Sequence, residues 1–358
     1  MRNTITVFFN FFLITSLSLI PSLLSLSSDP CNPKTLPDPK TLISDQITVL
    51  INGYSESRIH LLRSISATYS SSPSVAAVLI LWGNPKTPLQ TLTQFSQNLT
   101  SYFGGAPISI LRQSTDSLNS RFLPRSSITT RAVAICDDDI EIDSESFEFA
   151  FKIWNSHQEN LIGFFARSHD LDLSKKTWIY TVHPDKYSIL LTKFMILKTD
   201  YLYKYSCSSS SNSKMPMPMP MPMMKEMRNL VDQMQNCEDI LMNFVVADES
   251  NSGPILIESK RLRDHGDARN EEREGVSGEE GVERESLRRR RREKVREVGL
   301  SSRRREHRKR RGDCIREFHR LLGRMPLRYS YGKVVNSVGE QGLCLKGGKL
   351  VFCDEQIL

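Results

Sequence analysis

Residues 132–143 read AVAICDDDIEID, an apolar run that passes straight into five acidic side chains within seven positions. Asp137, Asp138 and Asp139 are consecutive, so their carboxylates repel one another wherever they are held close together. A hard divalent cation resolves that conflict, because Mn2+ and Mg2+ take oxygen ligands of this kind. The plainer reading is a solvated acidic turn that opens the next helix, where the dipole favours negative charge. The position of the triplet, at the end of an apolar strand, favours the metal. A second acidic pair, Glu238-Asp239, stands in NCEDILMNF. Ile240, Leu241 and Phe244 fit the buried stripe of a helix, with both carboxylates in its first turn, either as capping charges or for chemistry.

Groups like these need a scaffold that gathers strand ends along one edge. QITVLING (46–53) reads as a buried strand, and a helix is expected over 57–69. SVAAVLILWGN (74–84), PISIL (107–111) and RAVAIC (131–136) read as three further strands. Apolar strands alternating with helices predict an α/β domain, a mixed and mostly parallel central sheet flanked by helices. Ligands of such sheets collect at the carboxyl ends of the strands, where the triplet lies.

Two stretches depart from a compact domain. SSSSNSKMPMPMPMPMMKEM (208–227) alternates Met with Pro and reads as an exposed insertion loop, since proline is excluded from helix interiors and central strands. Residues 263–299 are almost free of apolar side chains and dense in mixed charge, the composition of a disordered or helical solvated insertion. The basic tract continues through SSRRREHRKRRGDC (301–314), and most of the net charge of +7 originates here.

Such a tract often marks nuclear targeting or nucleic-acid binding, but the amino terminus argues against that reading. Residues 5–26 carry no charge and are long enough for a signal peptide or an uncleaved membrane span. The remainder is therefore expected in the Golgi or ER lumen, membrane-anchored or secretory, with no nucleic-acid partner. In that compartment Asn98-Leu99-Thr100 is a glycosylation sequon, and Cys237, Cys314, Cys344 and Cys353 are candidates for disulfides whose connectivity stays open. Cys136 ends an apolar strand and reads as a small buried hydrophobe. The expected organisation is a targeting segment 1–28, a linker 29–45, one domain over 46–353 interrupted by the insertions 208–227 and 263–299, and a tail 354–358.

Four segments in this order resemble the exostosin-like glycosyltransferases of family 64. They are NGYSESRIHLL (52–62), DSLNSRFLPRSSITTRAVAICDDDIEID (116–143), DKYSILLTKFMILKTDYLYKY (185–205) and NCEDILMNFVVAD (236–248). MPLRYSYGKVVNSVGEQGLC (325–344) is similar to the ending of the plant members. The resemblance implies a GT-A type nucleotide-diphospho-sugar transferase fold and a retaining, metal-dependent glycosyltransferase. It places Mn2+, or Mg2+, on Asp139, with Asp137 and Asp138 supporting the ribose and the metal's waters. It places Arg58, Asn84 and Arg121 on the donor, together with Asp116 and Asn119 in the segment before the triplet; Asp116 departs from the asparagine of animal members. Arg304 and His307 fall near the diphosphate, Asp239 beside the anomeric carbon as the catalytic carboxylate, and Tyr187 and Ser188 on the acceptor side.

The implied donors are UDP-GlcNAc, UDP-GalNAc or GDP-mannose, and the implied acceptors are glycans or glycosyl inositol phosphorylceramide, with membrane association. Retention through a covalent intermediate and retention through same-face attack both stay open. The rival from another class is a non-catalytic lumenal sugar-binding or scaffold protein that keeps the fold.

Overall fold

The computed structural model describes residues 29–32, 34–99, 105–207, 221–259, 261–266, 304–336 and 343–353. The targeting segment 1–28, the tail 354–358 and most of the two insertions lie outside the described residues.

The strands are β1 (Ile43–Gly53), β2 (Val75–Trp82), β3 (Ile108–Arg112), β4 (Thr130–Asp137), β5 (Ile140–Ile142), β6 (Ile162–Gly163), β7 (Ala166–Asp172), β8 (Thr177–Thr181) and β9 (Lys186–Tyr187). They continue with β10 (Ile189–Leu190), β11 (Phe194–Lys198), β12 (Ile255–Glu258), β13 (Leu262–Asp264), β14 (Ser330–Tyr331), β15 (Val334–Val335), β16 (Leu343–Lys346) and β17 (Lys349–Phe352). The helices are α1 (Ile59–Ser70), α2 (Leu89–Leu99), α3 (Ser144–Ser156), α4 (Thr199–Ser206), α5 (Met221–Met234), α6 (Glu238–Ser250) and α7 (Arg304–Leu322).

Eight strands form the main sheet in the order β15-β12-β6-β11-β4-β1-β2-β3. Every pairing in it is parallel except those of β11, which runs antiparallel to both β4 and β6. The architecture is thus the expected mixed, mostly parallel α/β sheet. Its central strands are apolar on both faces because both are covered. Along β4, Val133 and Ile135 join one core with α4 to α7, while Ala132, Ala134 and Cys136 join another with α1, α2 and α3. Gly53 ends β1 where a Cβ would meet the Trp82 ring at 2.9 Å, so only glycine fits that approach.

Three expectations are corrected. The stretch 29–45 read as a linker already contains the start of β1 at Ile43, and a disulfide from Cys31 to Cys207 fastens it to the end of α4. The Met-Pro tract is not an exposed loop throughout, because α5 starts at Met221. Pro222 stands in the first turn, where a missing N–H breaks no intrahelical bond. Met224 and Met227 are fully buried there, filling the core. The charged insertion starts later than expected, since Arg263 and Asp264 still pair with β5 as part of β13.

Candidate active site

The acidic triplet is built as a strand end. Asp137 is the last residue of β4, the chain turns at Asp138 and Asp139, and β5 resumes at Ile140. The helix that the plainer reading had the triplet open starts only after this second strand, with Asp143 as its cap accepting from Ser146 N–H at 3.0 Å. Asn52 at the end of β1 donates from Nδ2 to the Cys136 carbonyl at 3.0 Å, tying the two strand ends together.

Arg58, at the entry to α1, reaches across this edge. Its Nη1 lies 2.7 Å from Asp138 Oδ1 and 3.1 Å from Asp139 Oδ2. Tyr54 N–H donates to the other Asp138 oxygen at 3.3 Å. On the far side, Arg121 Nη1 is 3.2 Å from Asp137 Oδ1 and 3.3 Å from Glu238 Oε1, so a single guanidinium links the triplet to the second acidic pair. The loop after β13 closes the turn from above: His265 N–H donates to the Asp139 carbonyl at 2.9 Å, and a Cβ on Gly266 would collide with Asp139 Oδ2.

The second pair opens α6. Glu238 and Asp239 are both buried, and Thr192 donates to Glu238 Oε1 at 3.1 Å. Asp239 accepts from Arg311 Nη2 at 2.5 Å and from its neighbour Ile240 N–H at 2.8 Å. Arg311 also donates to Asn236 Oδ1 at 3.1 Å and lies 4.5 Å over the Tyr180 ring. A disulfide between Cys237 and Cys314 joins the start of α6 to α7 a few residues from each partner. Cys237 itself takes a left-handed φ of 78°, a strained conformation for a non-glycine residue.

Five carboxylates, at 137, 138, 139, 238 and 239, therefore face three guanidiniums, at 58, 121 and 311, an excess of two negative charges. That excess, together with burial, favours the protonated form of several of these carboxyls. Burial pushes the Asp137 carboxyl up to about 7, with Asp139, Glu238 and Asp138 adding to the rise and Arg121 opposing it. Burial also raises Asp139, joined by Asp138 and Asp264 and opposed by Arg58 and Lys193. Glu238 is raised by burial and by Asp239. Burial works to lower Arg311, but Asp239 and its neighbours overcome it and hold the guanidinium charged.

The expected site residues divide clearly. Arg58, Arg121, Asp137, Asp138, Asp139 and Asp239 converge. Asn84 stands at the same edge after β2, its Oδ1 accepting from Lys86 N–H at 3.0 Å, and Asp116 is exposed beyond β3. Asn119 is taken up in packing: its amide donates to Asp232 and to the Arg228 carbonyl and accepts from Tyr205. Tyr187 and Ser188 are buried rather than open to an acceptor. Tyr187 accepts from Leu256 N–H, and Ser188 bonds His169. Arg304 begins α7 and its side chain lies outside the described residues. The arginine that reaches Asp239 is Arg311, seven residues beyond Arg304 in the same basic tract. One helical turn before it stands His307, lowered by burial and by Arg311. The available signals were its spacing of four from His307 and of three from Cys314.

Cys237–Cys314 and Cys344–Cys353 resolve the open connectivity, Cys31–Cys207 is a third bridge that was not expected, and Cys136 is free and buried as anticipated. Asn98 is exposed near the end of α2, as a glycan site requires. No helix among the described residues is long and apolar enough to cross a membrane.

Comparison with known proteins completes the picture. A family model described as the glycosyl transferase family 64 domain matches residues 47–339. Glycosyltransferase family protein 64 C3 of Arabidopsis thaliana is 59% identical over 344 residues, covering 96% of this chain and 95% of that protein. Exostosin-1 of Bos taurus is 31% identical over 193 residues, 54% of this chain and 23% of its own length. A solved structure titled as GalNAc-T7 with UDP, GalNAc and Mn2+ superposes with a TM-score of 0.35 at 10% identity, over 47% of this chain and 37% of that one. That likeness is too slight to carry a functional inference.

Proposed function

Given that this chain belongs to glycosyltransferase family 64 and is on that ground a glycosyltransferase, we propose that it transfers a hexose or N-acetylhexosamine from a nucleotide sugar with retention of configuration. The observation that carries the reading is the convergence of the triplet and the Arg311–Asp239 pair on one sheet edge, linked through Arg121.

The donor set suits a divalent cation. The site holds two uncompensated negative charges, all its acidic ligands are oxygen, and burial leaves Asp137 and Asp139 prone to protonation unless a cation balances them. Among the described residues no three His, Cys, Asp or Glu side chains form a metal cage, so Asp139, supported by Asp137, would hold Mn2+ or Mg2+ together with the donor's own phosphate oxygens. Bound there, the cation would stabilise the charge that develops on the departing diphosphate.

The chain's own groups supply the rest. Arg58 orients Asp138 and Asp139, and Arg121 holds Asp137 against Glu238. Arg311 aims Asp239 and has a buried Nε with no acceptor among the described residues, a donor suited to a phosphate oxygen. With its oxygens engaged by Arg311 and Ile240 N–H, Asp239 is better suited to stabilise positive charge at the anomeric carbon than to attack it. This favours same-face attack over a covalent intermediate.

Candidate donors are UDP-GlcNAc, UDP-GalNAc and GDP-mannose, and the acceptor is a glycan or a glycosyl inositol phosphorylceramide. The three disulfides support an oxidising lumen such as that of the Golgi or ER. The test is nucleotide release from UDP- and GDP-sugars in Mn2+ and in EDTA. Metal-dependent release from one donor, lost in Asp139→Ala, is the expected result. Tight donor binding with no turnover in the presence of glycan and glycolipid acceptors would overturn the enzyme reading in favour of a scaffold.

A further inference from the structure

β7 and β8 form a hairpin whose two faces differ. His169, Leu171, Trp178 and Tyr180 share one face by register. That face packs along α7: Tyr180 lies under Arg311, Trp178 meets His319 at 5.3 Å between ring centres, and the helix backbone approaches β8 at Gly312. The C-terminal half of α7 therefore runs toward the hairpin turn.

The turn presents one open apolar side chain among polar ones. Leu173 is 78% exposed, Val182 53%, Leu171 44% and Ile179 37%. Among the described residues, four of the ten exposed large hydrophobic side chains fall between 171 and 182 in sequence. By register Leu171 lies on the side that faces α7, Ile179 on the opposite side and Val182 past the end of β8 away from the turn, so the open apolar side chain at the turn itself is Leu173, with Leu171 nearest to it along the strand. Lys175 and Lys176 occupy the turn, Lys176 at a left-handed φ of 50°. The nearby carboxylates are already engaged. Asp172 accepts from Ser174 and Lys175 within the turn, and Asp170 is held by His183 and Lys186. Lys176 has no partner among the described residues. Beside the hairpin, α7 presents Lys309, Arg316 and Arg320 at spacings of seven and four along its outer face. Asp313 and Glu317 compensate the two arginines, and Lys309 is unmatched among the described residues.

We propose that the β7–β8 hairpin is the element by which this protein docks onto an anionic lipid surface. A convex tip with an aliphatic side chain next to paired lysines suits a bilayer interface, where Leu173 enters the headgroup layer and the lysines reach lipid phosphates. A protein partner would instead need a matching groove for a narrow protruding turn. Because Tyr180 on the same hairpin supports Arg311, and Arg311 holds Asp239, docking sets a constant attitude of the acidic site toward the membrane. The docking surface stands on these exposures and charges and does not rest on the proposed transfer reaction.

The test uses the chain from residue 29 onward, which contains every described element, both cores and all three disulfides. Its sedimentation with phosphatidylcholine vesicles is compared with and without phosphatidylserine, in the absence of sugar nucleotide. Binding is expected only with phosphatidylserine and is weakened by salt. Leu173→Asp and the double change Lys175→Glu/Lys176→Glu should each weaken it at least about tenfold, as one lysine near an anionic surface is worth about fivefold. Melting temperature and solution turnover should not change, since these side chains are exposed and lie away from the acidic site. Absence of binding, equal binding to both vesicle types, or variants that bind as wild type would each overturn the proposal, and the last would leave the hairpin as a contact for protein. Loss of turnover bears on the proposed reaction alone, because vesicle binding is read without substrate.

Discussion

Arg311 and Asp239 meet at 2.5 Å with side chains only 6% and 3% exposed, one on α7 and one at the start of α6. Removing one partner of so buried a pair strands the other charge, at a cost of about 3–5 kcal/mol. Arg311→Ala is therefore expected to lower stability by roughly that amount and to abolish turnover. Asp239→Asn keeps the shape but leaves the Arg311 charge unpaired, so it too should lose stability, and in the folded protein donor binding should stay near wild type while kcat falls about a hundredfold or more. Calorimetric melting and single-turnover nucleotide release check the two halves separately. Turnover that survives Asp239→Asn would remove this carboxylate from the chemistry.

Protons and metal ions should compete at the triplet. The Asp137 carboxyl, pushed up to about 7 by burial and its acidic neighbours, favours folding in its neutral form. Its contribution to stability is present below its unfolded value and is lost as pH rises through about 7. Metal-free protein should thus lose stability over that range, and Mn2+ should restore it. The Mn2+-induced rise in melting temperature is expected to grow from about pH 6 to about pH 8 and to vanish in Asp139→Ala or with EDTA. A rise independent of pH would argue against these carboxylates as the binding site.

His169 makes a prediction of the opposite sense. Burial lowers its imidazole to about 4, with Lys186 adding and Asp170 opposing. Its ring stacks on Tyr329 at 4.7 Å and bonds Ser188. The neutral ring is the folded form, so its stability is present above the unfolded value of about 6.5 and is lost as pH falls toward 4. The loss is on the order of 3 kcal/mol by linkage. His169→Phe should flatten the stability profile between those limits, measured by urea unfolding at several pH values.

The disulfides should rank by the loops they close. Cys31–Cys207 spans 176 residues and Cys344–Cys353 spans 9. Constraint of the unfolded chain grows with loop length, so Cys31→Ser/Cys207→Ser should cost about 2–4 kcal/mol and Cys344→Ser/Cys353→Ser clearly less. Denaturant midpoints of the two double variants give the comparison.

Much of this architecture was legible from local pattern. The runs ending at Gly53, Trp82 and Cys136 place apolar side chains on both faces because both faces are covered, and their strand character follows from that pattern. The triplet was legible for a similar reason, since three adjacent carboxylates after a buried strand have few other uses. The six residues that converge, from Arg58 to Asp239, sit in the segments that carry the family resemblance, and it was the resemblance that assigned Arg58, Arg121 and Asp239 to the site.

The remainder depended on contacts between distant segments. Composition describes residues 304–322 as a basic tract, in which only the spacings from His307 and Cys314 mark Arg311; it becomes distinct when α7 packs on β8 and turns its guanidinium inward to Asp239, 72 residues away. Met224 and Met227 look like part of a simple repeat until α5 lays them against the core. Asn119, Tyr187 and Ser188 have the polar groups of ligand contacts, yet their neighbours in space use those groups up. The sequence by itself determined the sheet, its acidic edge and the residue types available there, because these follow from periodicity and like-charge repulsion. Only the tertiary structure decided which arginine neutralises which carboxylate, because Coulomb energy depends on distance through space and not along the chain.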